Sequence, residues 1–256
     1  MKYIIPSRNI TNYISTIVPT LLILMAHLLF IADSAAQSRP YDNTEINVVN
    51  KGGLQSDSYF SNKQTTLNDQ LNLNTLLRYG LTKNMELQFG WNSQKDRFNS
   101  INVTTDATRI GIKLHLTNDG SILPALSAIV STNLTFDPDK TFFLPSLNLL
   151  FEKSIASSWN VNGNFQFQLN EDSGDLSTNY AFNIEADITN WQTTYIGLTG
   201  NSNEFKGENV PYQNYLEIGM LLYVYDGIVL YPFYDIGLND SSGNIFSIGA
   251  LFTLGK

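Results

Sequence analysis

The sequence predicts an all-β protein: a closed, antiparallel, transmembrane up-and-down β-barrel of about twelve strands. Three observations predict it. Runs of about ten residues, the length that crosses a bilayer at a tilt, alternate between apolar and polar side chains. A period of two belongs to strands, whose successive side chains point to opposite faces. The links between runs are alternately short and longer, as in an outer-membrane barrel. Finally, only 15% of the 256 residues are charged while an ordinary 43% are hydrophobic, against about 25% charged in a soluble domain. Asn, Gln, Ser, Thr and Gly carry the polarity instead.

The first element is an export signal, expected at 1–36. Lys2 and Arg8 open it, an apolar run follows from Ile17 to Ile31, and Ser34 and Ala36 are small residues suited to a signal peptidase site. A membrane anchor is the competing reading. It needs roughly 20 apolar residues, and this run is shorter. No later segment has that length, so any membrane passage must use strands. Residues 37–53 are polar and Asn-rich with a Gly52-Gly53 turn; they read as a periplasmic lead-in with little regular structure. The barrel is expected over 54–256.

Twelve strands are expected, at 54–63, 70–81, 85–95, 105–117, 124–136, 143–155, 159–170, 179–189, 191–203, 214–225, 228–239 and 244–254. The first is the weakest, because residues 54–60 are barely apolar on either face, yet closure requires it to pair with the twelfth. In the third, Met85, Leu87, Phe89 and Trp91 oppose Glu86, Gln88, Gly90 and Asn92. In the fourth, Ile110, Ile112, Leu114 and Leu116 oppose Arg109, Gly111, Lys113 and His115. The seventh is the clearest: Val161, Gly163, Phe165, Phe167 and Leu169 oppose Asn160, Asn162, Asn164, Gln166 and Gln168. The eighth, tenth and twelfth repeat the pattern, except that Leu221 and Leu251 sit on polar faces. Tight turns are expected at Thr82-Lys83-Asn84, Asn118-Asp119-Gly120, Ala156-Ser157-Ser158, Asn190 and Asp226-Gly227, Asp-Gly being a strong hairpin signal. Longer links are expected at 96–104, 137–142, 171–178, 204–213 and 240–243.

A soluble sandwich also alternates. Against it, the apolar face persists in nearly every strand, and the other face lacks the Lys and Glu density of a solvated surface. Aromatic residues also fall near strand ends: Tyr79, Trp91, Phe136, Phe143, Trp159, Tyr180, Trp191, Tyr215, Tyr225, Tyr231 and Tyr234. Aromatic girdles mark both membrane interfaces of a barrel.

The charge excludes some functions. The net charge is −8, one unit more negative once Lys2, Arg8 and Asp33 are removed with the signal, and nucleic-acid binding needs clustered Lys and Arg. With no Cys there is no disulfide, thiolate metal site or cysteine nucleophile. No phosphate loop, dinucleotide fingerprint or metal spacing occurs, and no cofactor is implied. Two acidic pairs, Asp235 with Asp240 and Asp137 with Asp139, read as solvated loops more readily than as calcium sites.

The stretch Leu76-Leu77-Arg78-Tyr79-Gly80-Leu81-Thr82-Lys83-Asn84-Met85-Glu86-Leu87-Gln88-Phe89-Gly90-Trp91 resembles a family of bacterial outer-membrane proteins named for the phenol meta-cleavage pathway (MetA-type), often labelled transporters. Ile110 to Leu114 and Pro124 to Ala128 also match, and the resemblance runs over residues 54 to 256, in rhythm more than in residues towards the C-terminus. It implies a barrel that passes small solutes, aromatic or hydrophobic ones included. The chain departs from many such barrels in ending Phe252-Thr253-Leu254-Gly255-Lys256 rather than on an aromatic residue.

Parity places the candidate lumen and solute-path residues. Lys or Arg on the lipid face costs about 2–4 kcal/mol at the midplane, so the charged and strongly polar side chains belong inside. They are Arg78, Glu86, Gln88, Arg109, Lys113 and His115 on the early strands, and Glu152, Glu185, Asp187, Glu217 and Asp235 on the later ones. Basic residues lie early and acidic ones late, so closure would bring Glu217 and Asp235 back towards Arg78. The result is either a salt-bridged filling or a charged aqueous path. The expected activity is passive or facilitated passage of small solutes. Two alternatives stay open: a lipid-modifying enzyme using His115, the one histidine after the signal, with a lumen serine such as Ser127, Ser131 or Ser146; and a structural or adhesive barrel with a filled lumen. Expected partners are outer-membrane lipid, a small-molecule solute and the barrel-insertion machinery, not nucleic acid. The expected location is the outer membrane, with both termini periplasmic.

Overall fold

The structure, a computed structural model, describes residues 46–64, 69–98, 101–120, 122–134, 144–169, 176–202, 213–239 and 242–254. The expected signal peptide and residues 37–45 of the lead-in lie outside the described residues. Twelve strands follow one another: β1 (Leu54–Gln64), β2 (Asp69–Thr82), β3 (Met85–Phe98), β4 (Ile101–Thr117), β5 (Ala125–Leu134), β6 (Leu144–Ala156), β7 (Trp159–Leu169), β8 (Leu176–Thr189), β9 (Gln192–Ser202), β10 (Gln213–Tyr225), β11 (Ile228–Gly237) and β12 (Asn244–Leu254). Each pairs antiparallel with its sequence neighbour, and β1 pairs with β12 to close the barrel.

The strand with the weakest pattern is fully laddered. On one side β1 pairs from Leu54↔Leu254 to Gln64↔Asn244, on the other from Leu54↔Tyr79 to Gln64↔Asp69. Its outward face is largely polar, and part of it is bonded to β2: Ser58 Oγ donates to Thr75 Oγ1 at 3.1 Å.

Two links depart from expectation. The expected long link at 96–104 is largely strand, since the β3–β4 ladder continues to Phe98↔Ile101. Apolar alternation fades there in the sequence, and a hairpin that outruns the apolar belt needs no apolar face. At the other end of β4 the strand stops at Thr117 as expected, residues 118–120 do not form the expected tight turn, and β5 starts at Ala125, one residue later than expected. Gly120 N donates to Leu123 O at 3.0 Å. Asp119 ties this link to β6 through Lys153 Nζ (2.7 Å) and Ser154 N (3.1 Å). Those two bonds, Lys153 first, hold the Asp119 carboxyl below the usual aspartate range. The turns at Ser157-Ser158 and Asp226-Gly227 form as expected, Gly227 at φ 78°. Trp191, expected at the start of a strand, lies in the Asn190-Trp191 turn.

The outside is apolar and the inside polar, the reverse of a soluble sheet. Phe89, Ile112, Val130, Leu149, Ile184, Ile196, Ile218 and Ile248 are all exposed on the outer wall, a continuous belt suited to hydrocarbon. Tyr79, Trp159, Trp191 and Tyr225 are exposed near the turn end, and Trp91 and Tyr234 nearer the loop end. Tyr180 is half-buried. Tyr215 and Tyr231 were expected in the girdle and face the lumen instead, 8% and 1% exposed. They share odd parity with Glu217 and Asp235 on their own strands, and the wall is closed enough to cover them. Phe136 and Phe143 lie outside the described residues.

Parity predicts a sharp contrast. Ile184→Arg, on the outer wall of β8, should destabilise the folded barrel by about 2–4 kcal/mol in lipid. Gln168→Arg, facing the lumen, should cost about 1 kcal/mol or less. Denaturant titration in bilayers checks both; equal costs would mean the outer wall does not face hydrocarbon.

Candidate functional site: the lumen

The lumen is built from inward positions of all twelve strands and from a segment that is not part of the wall. Residues 46–53 run inside the barrel at its turn end. Ile46 packs against Ala125, Ile129 and Leu150. Its carbonyl accepts from Ser127 Oγ at 2.6 Å. The Asn47 carbonyl accepts from Arg78 Nη2 at 3.0 Å and Lys113 Nζ at 2.7 Å. Val49 N donates to Glu86 Oε2 at 2.7 Å. Gly52 N donates to Gly80 O at 2.8 Å and Gly80 N to Gly53 O at 3.1 Å, with a parallel bridge between Lys51 and Gly80. Gly80 is required by this approach: a Cβ there would collide with the carbonyls of Val49 and Asn50. The segment is therefore strapped across β2 and bonded to β3, β4 and β5.

The strap rests on a buried ionic cluster. Arg78 forks Glu86, Nε to Oε1 at 2.7 Å and Nη2 to Oε2 at 3.0 Å, and donates from Nη1 to Gln55 at 2.5 Å. Gln88 Nε2 donates to Glu86 Oε1 at 2.8 Å. Two cations, Arg78 and Lys113, thus surround one carboxylate, and Glu86 is 0% exposed. Both cations also donate to the Asn47 carbonyl. A buried charge left uncompensated costs several kcal/mol, so cluster and strap stabilise each other.

Opposite the strap, the turn half is packed with side chains. Tyr195, Leu221, Val229, Tyr231, Phe233 and Leu251 form one buried cluster. This accounts for Leu221 and Leu251, which break the outward apolar rule because they fill the inside. Tyr231 lies across Gly249 on the next strand, where a Cβ would collide with its ring, and its hydroxyl donates to Asp57.

The predicted lumen residues separate into groups. Arg78, Glu86, Gln88 and Lys113 come together in the strap cluster. Glu217 and Asp235 face each other across β10 and β11, and Tyr195 hydrogen-bonds Glu217. The salt bridge of Arg78 is to Glu86, so the expected convergence of Glu217 and Asp235 on Arg78 gives way to two separate charge clusters. Glu185 accepts from Asn162 Nδ2 at 2.5 Å. Asp187 accepts from Thr193 Oγ1 at 2.6 Å near the turn end, where it is exposed, and Glu152 is half-buried on β6. His115 bridges Ser127 Oγ (3.2 Å, through Nδ1) and Asn118 Oδ1 (2.9 Å, through Nε2). Among the described residues no group of three His, Asp or Glu is placed to hold a metal ion, and of the acidic pairs noted in the sequence Asp137, Asp139 and Asp240 lie outside the described residues.

Arg109 belongs to a third region, a cavity of about 200 Å³ on the loop side of the strap cluster. Asp57, Tyr59, Asn74, Asn92, Asn133, Gln166 and Gln168 share its lining. Sequence reasoning left these seven out: the five amides carry no charge, and Asp57 and Tyr59 lie on the strand with the weakest alternation. Their inward parity was the available signal. The strap gave none, being Asn-rich and aperiodic.

No family model matches the sequence, and no curated protein matches it. Solved structures share its fold. The COG4313 outer membrane channel from Pseudomonas putida F1 superposes with a TM-score of 0.61 at 12% identity, over 84% of this chain and 100% of that one. The NanC porin gives 0.53 at 11%, over 77% and 98%. The KdgM porin, solved in complex with disordered oligogalacturonate, gives 0.52 at 10%, also over 77% and 98%. The fold is that of outer-membrane β-barrel channels.

The strap contacts can be tested singly. Lys113→Met removes one charged donor to the Asn47 carbonyl while keeping side-chain length. Hydrogen bonds to charged groups contribute about 1.5–3 kcal/mol, so the Val49 amide should exchange with solvent about 10–100-fold faster. Amide exchange by NMR in detergent reads this; an unchanged rate would show that Lys113 does not hold the strap.

Proposed function

We propose that the protein is an outer-membrane channel for small solutes, closed at its turn end by residues 46–53. One observation carries this. A closed barrel with an apolar exterior encloses a polar cavity, and what stands between that cavity and the turn end includes a short strap held by hydrogen bonds, not a covalent part of the wall. Barrels of about eight strands are filled by side chains, whereas 16-stranded porins leave a water channel. Twelve strands leave room that the strap and the β9–β12 cluster occupy only in one half.

The resemblance of Leu76 to Trp91 to the outer-membrane family of the phenol meta-cleavage pathway supports the same assignment. So does the likeness of the fold to channels and porins. With the short turns, strap and both barrel ends on one side, that side is the periplasmic one. Outer-membrane lipid is the partner of the apolar belt, and assembly depends on the insertion machinery that strand-built membrane proteins require. The amide lining of the cavity favours polar solutes over aromatic or hydrophobic ones, because burying an amide against an apolar solute forfeits its hydrogen bonds.

Planar-bilayer recording tests the channel. Gly80→Val forces the strap off β2 and should raise single-channel conductance several-fold over the wild type. Absence of conductance and of liposome swelling in both proteins would remove the channel reading.

A second reading rests on His115, which touches a serine hydroxyl and an amide oxygen as a general base would. Ser127 is 1% exposed, however, and its hydroxyl is drawn to the Ile46 carbonyl, so the strap covers it. On the channel reading His115→Ala leaves conductance at the wild-type value. Phospholipid hydrolysis by the wild type that His115→Ala abolishes would establish the enzyme instead.

A further inference from the structure

The cavity above the strap has a walled geometry that follows from register. Pairing partners run Asp57–Leu76–Gly90–Arg109–Asn133 straight across β1 to β5, and Tyr59–Asn74–Asn92–Ala107 form the next row towards the loop end. Gln166 and Gln168 of β7 complete the lining. Gly90 contributes no side chain in the middle of the first row, which leaves a recess there.

The chemistry of the lining is narrow. One carboxylate, Asp57, and one guanidinium, Arg109, cancel in charge. Five carboxamides supply the remaining polarity, and each offers both donors and an acceptor. A ligand that matches such a surface carries several groups that both donate and accept, and no net charge. Hydroxyl groups are of that kind. The Tyr59 ring, tilted against Phe233 at a centroid distance of 6.3 Å, adds an apolar face of the type that the C–H side of a sugar ring needs.

Three hydrogen bonds to carboxamide oxygens here are slack. Arg109 Nη2 reaches Gln88 Oε1 at 3.4 Å, Asn179 Nδ2 reaches Gln166 Oε1 at 3.4 Å, and Gln166 Nε2 reaches Gln168 Oε1 at 3.5 Å. All lie beyond the usual 2.7–3.2 Å range. Asn92 Oδ1 is buried with no hydrogen-bond partner, an expensive condition for an amide oxygen in a closed space. The strap network a few residues away is tight by comparison, at 2.5–3.0 Å. The slack side is the side with capacity for a ligand.

Size sets the remaining limit. About 200 Å³ falls below the 300–1,000 Å³ of sites for larger ligands. It suits one ring and not a chain of rings.

We propose that this cavity is a binding station for a neutral polyhydroxylated solute the size of a single sugar ring. Asn92, Asn133, Gln166 and Arg109 make the hydrogen bonds, and Tyr59 supplies the ring contact. The proposal deepens the channel reading, on which its use in transport rests, but binding itself is measurable without transport.

The experiment is equilibrium binding to the purified full-length mature chain in detergent, by saturation-transfer NMR and calorimetry. The probes are D-glucose, D-xylose and sorbitol, with benzoate and L-arginine as contrasts. The expected result is saturable binding of the polyols and none of benzoate or arginine. Asn133→Leu and Asn92→Leu, each shown folded by its heat-modifiable gel mobility, should bind the polyols about tenfold more weakly, the loss of one net hydrogen bond. The wild-type selectivity stands without either variant. No saturable polyol binding, preference for benzoate, or wild-type affinity in both variants would overturn the proposal. Conductance in potassium chloride, recorded on the same samples, separates the two readings. Current without polyol binding overturns the station and leaves the channel, and polyol binding without current does the reverse.

Discussion

Backbone groups in hydrocarbon have no water to bond, and a sheet that meets lipid must therefore have no edge. That constraint organises the molecule. It forces β1 onto β12, in an unbroken ladder from Leu54↔Leu254 to Gln64↔Asn244, although β1 is polar along much of its outward face. Closure in turn divides each strand by parity into residues that meet lipid and residues that meet an enclosed interior. The apolar belt, the placement of the charges and the burial of Tyr215 and Tyr231 all follow from that division.

An enclosed interior must then be filled or wetted. The turn half is filled, and the filling is of two kinds. On β9 to β12 it is ordinary apolar packing, with Tyr231 spanning the gap left by Gly249 and its hydroxyl delivered to Asp57. On β2 to β5 it is a strap of the chain itself, which brings the Asn47 carbonyl to Arg78 and Lys113 and the Val49 amide to Glu86. The polar cluster and the strap are thus one structure, and neither keeps its bonds when the other moves.

Much of this was legible in the sequence, and what was not has physical reasons. Period-two alternation reports two solvents, so it located strands wherever one face meets lipid. Beyond the belt both faces are wet, the alternation disappears, and the β3–β4 hairpin was cut short at 96–104. Aromatic residues near strand ends signal an interface only when parity is outward; Tyr215 and Tyr231 failed that condition. Leu221 and Leu251 registered as exceptions, and their cause, an apolar filling, depends on which strands face one another across the lumen. Arg78, Glu86, Gln88 and Lys113 were identified as inward but not as partners of residues 46–49, because an aperiodic Asn-rich segment carries no sign of what it will bind. The amides of the cavity were visible as parity and passed over as chemistry.

The two halves of the lumen differ in how far their polar atoms are committed. Near the strap each charged group is held by short bonds in a fixed geometry, and displacing any one strands another in a low-dielectric space. At the cavity the bonds to the Gln166 and Gln168 oxygens are long and the Asn92 oxygen lacks a partner, so a solute can enter by exchanging weak contacts for better ones without disturbing the wall. A path through the barrel needs both behaviours in series, a lining that accepts and releases at small cost and a barrier that opens cooperatively. Residue chemistry assigns them to opposite ends: amides, which can reorganise singly, face the loops, and the ionic cluster, which cannot, stands at the turns.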